Sequence, residues 1–209
     1  MPKKVVLEFD DFSILNNRFD LLFKLREHYP NLKVTMFMIP FHAEHEVGPS
    51  NIFLQDALDT LKLNLDWIQI IPHGITHTDR EFEKADKTSM LLSIKAITDL
   101  WELQGIPFVK GFKAPQWLWN QDVVDVLDKK GWFGAVDRNQ PDMIKTKKYY
   151  MYNFNIDEPF SYSDMELLKL HGHITSTEKN DFDKCFLNLM KLPADAEFHF
   201  VTDYLEDKK

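Results

Sequence analysis

Cysteine is nearly absent from this chain. Cys185 is the only one in 209 residues, so no internal disulfide can form, and the composition fits a reducing compartment. Its setting, Phe182-Asp183-Lys184-Cys185-Phe186-Leu187, reads as that of a small buried hydrophobe rather than a nucleophile. Long hydrophobic runs are missing too. Met1-Pro2-Lys3-Lys4 leads into an apolar run of only five residues, too short for a signal sequence or a membrane span, so the expectation is a cytoplasmic protein. Positive charge is also scarce: 25 Lys and Arg stand against 33 Asp and Glu, for a net charge of -8. Apart from the short Lys145 to Lys148 cluster the cations are scattered, which leaves no stripe for a phosphate backbone and argues against nucleic acid as a partner. Repeats and low-complexity tracts are absent as well. With 44% hydrophobic residues, a chain of this length reads as one domain spanning 1–209. Nothing in the composition speaks to oligomeric state.

What is present is an alternation of short apolar runs with stretches of helical period, the pattern of repeated strand and helix units, and hence an α/β fold. Strands are expected at 4–10, 33–39, 68–72, 108–113, 132–137, 149–156, 165–171 and 196–202. Helices are expected at 17–28, 51–65, 88–104, 121–130 and 179–191. Asn16 and either Asn120 or Gln121 stand at expected helix starts, and Gly105 and Gly131 just past helix ends, where a left-handed residue is favoured. Seven or eight mostly parallel strands in this length suggest a small or incomplete barrel, with an open doubly wound sheet as the competitor.

The polar residues fall in a pattern. Asp10, Asp11, His73, Lys113, Asp137 and His171 each come at or just beyond the C-terminal end of an expected strand, where barrel enzymes carry their chemistry. Ile70-Ile71-Pro72-His73-Gly74-Ile75-Thr76-His77 releases an HxxxH pair from an apolar run, and Asp10-Asp11 ends another. Two histidines and a carboxylate at strand ends can hold one divalent metal with positions open for water and substrate, which points to a hydrolase. Pro72 fixes the strand exit and Gly74 permits a tight turn, so both rings can converge. Each element alone has a plainer reading: paired aspartates cap turns, isolated HxxxH pairs are mostly chance, and a lysine near a tryptophan commonly snorkels.

Taken together and in order, the motifs resemble those of the polysaccharide deacetylase family, carbohydrate esterases with a distorted (β/α) barrel and one catalytic metal. Phe9-Asp10-Asp11 resembles the family's first motif and His73 to His77 its second. Val34-Thr35-Met36-Phe37 resembles the strand between them, Lys113-Ala114-Pro115-Gln116-Trp117 the Arg-x-Pro motif, and Leu168-Lys169-Leu170-His171 the late strand-end histidine. The resemblance spans about residues 5 to 175.

It implies that Asp11, His73 and His77 hold a divalent ion, zinc before other divalent ions, and that Asp10 is the base and His171, with His173 as the alternative, the acid in hydrolysis of an N-acetyl group on a carbohydrate or small amide. Lys113 would orient the base, and Pro115, Trp117 and His173 would meet the substrate, with Trp119 offering a second flat face and a backbone N–H near Pro115 to Trp117 stabilising the oxyanion. Two departures stand out. Phe12 replaces the usual glycine, which suggests a narrowed mouth or an altered turn, and Lys113 replaces arginine, which alone could clamp a carboxylate with two parallel hydrogen bonds. They motivate a rival, a non-catalytic carbohydrate-binding relative. A non-haem iron oxygenase is a second rival, since two histidines and one carboxylate describe that site as well.

Asp137 is read either as a partner of a catalytic imidazole or as a helix cap or salt-bridge partner of Arg138. His42 and His45 read as solvated or rim residues, and His199 as a satisfied core or surface-strand histidine. The metal reading requires Asp11 to lie within about 8 Å of both rings.

Overall fold

The computed structural model describes residues 3–14, 17–40, 52–140, 142–157, 165–175 and 182–208. His42, His45 and Asn16 lie outside the described residues. Among the described residues five α-helices and ten strands follow in chain order: β1 (Lys4–Phe12), α1 (Phe19–His28), β2 (Val34–Met38), α2 (Ile52–Lys62), β3 (Ile68–Pro72), α3 (Lys87–Gln104), β4 (Gly111–Phe112), α4 (Gln121–Lys130), β5 (Phe133–Val136), β6 (Lys148–Met151), β7 (Phe154–Asn155), β8 (Leu167–His173), α5 (Phe182–Leu189), β9 (Glu197–His199) and β10 (Glu206–Asp207). One sheet runs β3-β2-β1-β8-β7, with β9 also on β1, and a second runs β10-β6-β5-β4. Every pairing is parallel except β10 with β6.

The two sheets meet at an isolated bridge between His73 and Lys113. On the far side the chain itself passes from β6, paired to β5, into β7, paired to β8. The architecture is therefore a distorted α/β barrel, with no closed hydrogen-bonded ring among the described residues.

Strand period two sorts the side chains. Val5, Leu7 and Phe9 of β1 point outward into a core with Leu22 and Leu25 of α1 and Phe182, Cys185 and Leu189 of α5. Phe112 and Val136 pack outward against Met90 and Ile94 of α3 and Val123, Val124 and Leu127 of α4. Val6, Phe37, Ile71, Phe133, Ala135 and Tyr150 form a third, strand-built cluster in the interior. Val6 has Glu8 and Asp10 two and four residues on, and Ile71 has His73, so the interior face turns from apolar to ionisable toward the strands' C-terminal ends.

Several elements differ from expectation for local reasons. Only Gly111–Phe112 of the 108–113 run pairs as a strand, because Gly111 N–H turns back to Val109 O at 2.8 Å. A Cβ on Gly111 would stand 2.4 Å from the Phe133 ring, so glycine is required there. The run 149–156 divides where pairing switches to β8, with Asn153 N–H donating to Lys169 O and its Oδ1 accepting from Lys169 N–H. The run 196–202 ends early because Phe200 N–H donates to Asp203 Oδ2, opening a 3-10 turn at Val201–Tyr204. At α1 the cap position is Arg18, with Asn17 Oδ1 accepting from Phe19 N–H. Asn120 caps α4 as expected, and Gly105 and Gly131 end their helices at φ +66° and +70°.

Candidate active site at the strand ends

Asp10 and Asp11 are consecutive, so a regular strand would turn them to opposite faces. Between Phe9 and Phe12 the register of β1 on β2 shifts, three steps on β1 against two on β2, and Asp11 takes φ +61°. That bulge turns both carboxylates toward the site, as bulges beside active sites do. Phe12 does not narrow a mouth. It is fully buried, edge-on to Phe19 at 5.9 Å, and the left-handed residue is Asp11 instead.

The loop after β3 brings the imidazoles in. Gly74 adopts φ +68°, and a Cβ there would meet Pro115 Cγ at 2.6 Å and Glu81 Oε2 at 2.7 Å. Glu81 then ties the loop, accepting from the N–H groups of Ile75, Thr76 and His77 at 3.0, 3.3 and 3.0 Å. His73 Nδ1–H donates to Lys113 O at 3.1 Å, which leaves Nε2 as the nitrogen with a lone pair.

Asp11 Oδ1 lies 3.1 Å from His77 Nε2 and 3.5 Å from His73 Nε2, far inside the 8 Å limit. One ligand atom from each of the three residues falls within 4.8 Å of the others. Asp11 Oδ1 is buried without a well-formed hydrogen bond, and the Nε2 of His73 is aimed at it by the ring's bond to Lys113 O. This donor set fits a divalent cation. Burial works against ionisation of Asp11, but the close contacts with His73 and His77 outweigh it and hold the carboxyl well below the usual carboxylate range.

Lys113 is fully buried, its Nζ 2.6 Å from Asp10 Oδ1 and 3.0 Å from Glu8 Oε1, over the rings of Trp117 at 4.0 Å and Phe37 at 4.4 Å. A point cation thus bridges two carboxylates where a guanidinium would clamp one. Burial opposes the charge on Asp10, and Lys113 with the nearby histidines overcomes it, so its pKa is lowered. His171 sits on β8 opposite Glu8, with Nδ1 2.9 Å from Glu8 Oε1, its ring 4.6 Å from that of Tyr152 and 5.4 Å from that of Trp117. His173 lies opposite Asp10, and burial lowers its pKa to about 4, so it is neutral at pH 7.

A cavity of about 260 Å³ opens beside these groups, lined among others by Trp117, Asp137, Tyr152, His171, His173 and Cys185. Asp137 does not bond to an imidazole or to Arg138. Its Oδ1 accepts from Tyr152 O–H at 2.7 Å and from Asn139 N–H at 2.9 Å, while Arg138 donates to Asn153 O. Trp119 does not face the cavity either: it is buried, stacks on Phe112 and donates Nε1–H to Ile144 O. Pro115 is buried against Gly74 rather than lining the cavity. Cys185 is buried, as its apolar neighbours implied, and His199 is half-buried, edge-on to Tyr204.

Sequence reasoning passed over two residues, Glu8 and Glu81. Glu8 had a signal, an acid inside the apolar run Val5-Val6-Leu7-Glu8-Phe9 on the same strand face as Asp10. Glu81 had none, since its role depends on how the loop folds back.

No family model matches the chain, and no curated protein matches it by sequence. Solved structures do match in fold. A chitin deacetylase from Colletotrichum lindemuthianum is 14% identical, covering 100% of this chain and 89% of that one at a TM-score of 0.64. A family 4 acetyl xylan esterase from Clostridium thermocellum, in complex with a cobalt ion, is 14% identical over 96% and 89%, at 0.60. A mutant CE4-family pseudoenzyme with restored enzymatic activity is 14% identical over 97% and 67%, at 0.56. The chain has the fold of the family 4 carbohydrate esterases and deacetylases.

Proposed function

We propose that the chain, acting as one catalytic domain, is a metal-dependent hydrolase that removes an N-acetyl or similar acyl group from an amino sugar or related amide. The observation that carries this is the convergence of Asp11, His73 and His77 within 4.8 Å beside a second carboxylate, Asp10, and a second pair of imidazoles, His171 and His173. Asp11, His73 and His77 would hold the ion, with zinc the first candidate. When bound, such an ion lowers the pKa of water to roughly 7 and polarises a carbonyl oxygen.

The residues divide the remaining work. Asp10, ionised beside Lys113, takes a proton from the attacking water, and Lys113 keeps that carboxylate in place. His171 protonates the departing nitrogen, which leaves poorly as an anion. Trp117 and Tyr152 flank the cavity with flat surfaces suited to a sugar ring. Trp117 N–H is committed to Ala114 O and Pro115 has none, so Gln116 offers the remaining amide of that segment to an oxyanion. The products are an amine and acetate.

The test is acetate release from an N-acetylglucosamine oligomer by zinc-loaded protein, with metal content measured alongside. Asp10→Asn is expected to lose about 10²- to 10⁴-fold in turnover with zinc retained, and His73→Ala to lose both. A fully active Asp10→Asn protein would remove the proposed base. Kinship in fold with a pseudoenzyme keeps the non-catalytic reading in view, and zinc-loaded protein that releases no acetate would favour it. The paired carboxylate and imidazole, which oxygen chemistry does not need, favour hydrolysis over iron oxygenation.

A further inference from the structure

We propose that Glu8 is a positioning residue that holds the hydrogen of His171 on Nδ1, so that Nε2 is the nitrogen presented to the substrate. This rests on the hydrolytic reading given above. Glu8 is fully buried on the interior face of β1, in a layer where a hydrophobic side chain would cost far less than a carboxylate. Neutralising Lys113 does not require it, because Asp10 already stands 2.6 Å from the ammonium. Glu8 Oε1 lies against His171 as well as against Lys113.

Nδ1 of His171 has two neighbours of opposite chemistry, Glu8 Oε1 at 2.9 Å and Lys113 Nζ at 3.3 Å. It cannot donate to one and accept from the other at once. The Glu8 contact is shorter, and the ammonium already has Asp10, Glu8 and the rings of Trp117 and Phe37 around it. The geometry selects Nδ1–H donating to Glu8. Tyr152, whose pKa burial and Asp137 push up, remains a neutral phenol, and His173 remains neutral at pH 7. The groups facing the ring are then Glu8 and Asp10 from β1, Lys113 from beyond β4, Tyr152 from beyond β6 and His173 from β8.

In the reaction the Nε2–H bond breaks as the amine N–H bond forms and the C–N bond breaks, leaving a neutral ring still bonded to Glu8 through Nδ1. The proton that Asp10 took from water returns to the ring through solvent, so the cycle closes without another reactant.

Two measurements test this. With Glu8→Gln, kcat on an N-acetylglucosamine oligomer is expected to fall ~10- to 100-fold, the range for a partner that orients an imidazole, with KM within about 2-fold. Hydrolysis of 4-nitrophenyl acetate, whose phenolate leaves without a proton, is expected to stay within about 2-fold. Equal losses on both substrates would indicate a merely structural acid and overturn the proposal. Independently, the wild-type protein with 15N-labelled histidine, its His171 signal assigned with His171→Gln, is expected to show the neutral ring protonated at Nδ1. A ring protonated at Nε2 overturns the proposal even if Glu8→Gln fails to fold. Should the wild type release no acetate from any amide, the hydrolytic reading fails, while the tautomer still decides whether Glu8 sets the ring.

Discussion

Lys113 stands between two carboxylates in the interior, Glu8 and Asp10. Replacing it with methionine keeps the volume but leaves Glu8 and Asp10 as buried carboxylates without their cation, so Lys113→Met is expected to cost about 3–5 kcal/mol in denaturant unfolding. His173 contributes the opposite sign of pH dependence from a salt-bridged histidine. Its folded pKa, about 4, lies below the unfolded value near 6.5, so the unfolded chain binds the extra proton first. Stability from this group is intact above pH ~6.5 and falls as pH drops toward 4. Between pH 7 and pH 5 the metal-free wild type is expected to lose about 2 kcal/mol relative to His173→Gln. Equal losses in the two proteins would contradict it. At this scale the sequence was informative wherever chemistry announced itself: Asp10, Asp11, His73, His77 and His171 meet, whereas Trp119, equally aromatic on paper, is buried in the helix-side core.

Among the elements, the loop from Gly74 to Glu81 decides whether two histidines in sequence become neighbours in space. Asp11 and His77, like Gln116 and Trp117 across the site, hold left-handed φ values that each cost about 1–2 kcal/mol, offset by the surrounding contacts. Gly74→Ala adds a Cβ into Pro115 and Glu81 at φ +68°. It is expected to lower the melting temperature and to weaken zinc binding ~10- to 100-fold, as read by competition with a chelator; unchanged zinc affinity would show that the loop does not set the site. Helix ends were legible because their signals are local, as Asn120, Gly105 and Gly131 show. The split at Tyr152–Asn153 was not, because pairing with Lys169 of β8 imposes it, and the end after His199 was not, because the Asp203 side chain opens a turn inside a run that reads as strand.

For the whole molecule, the three metal-ligand candidates come from the ends of β1 and the loop after β3, so an ion there ties together segments more than sixty residues apart. Zinc at about 1,000 times its dissociation constant is expected to stabilise the fold by about 4 kcal/mol, seen as a rise in melting temperature that His77→Ala abolishes. No helix among the described residues is long and apolar enough to cross a membrane. The sequence by itself determined the alternation of strands and helices and the placing of ionisable residues at strand ends, because periodicity and local chemistry are written along the chain. Only the tertiary structure decided that Asp10 and Asp11 share a side through a bulge, that Asp137 serves Tyr152, and that Glu8 lies against His171. Each depends on register between strands far apart in sequence, and register follows from packing, not from any one segment.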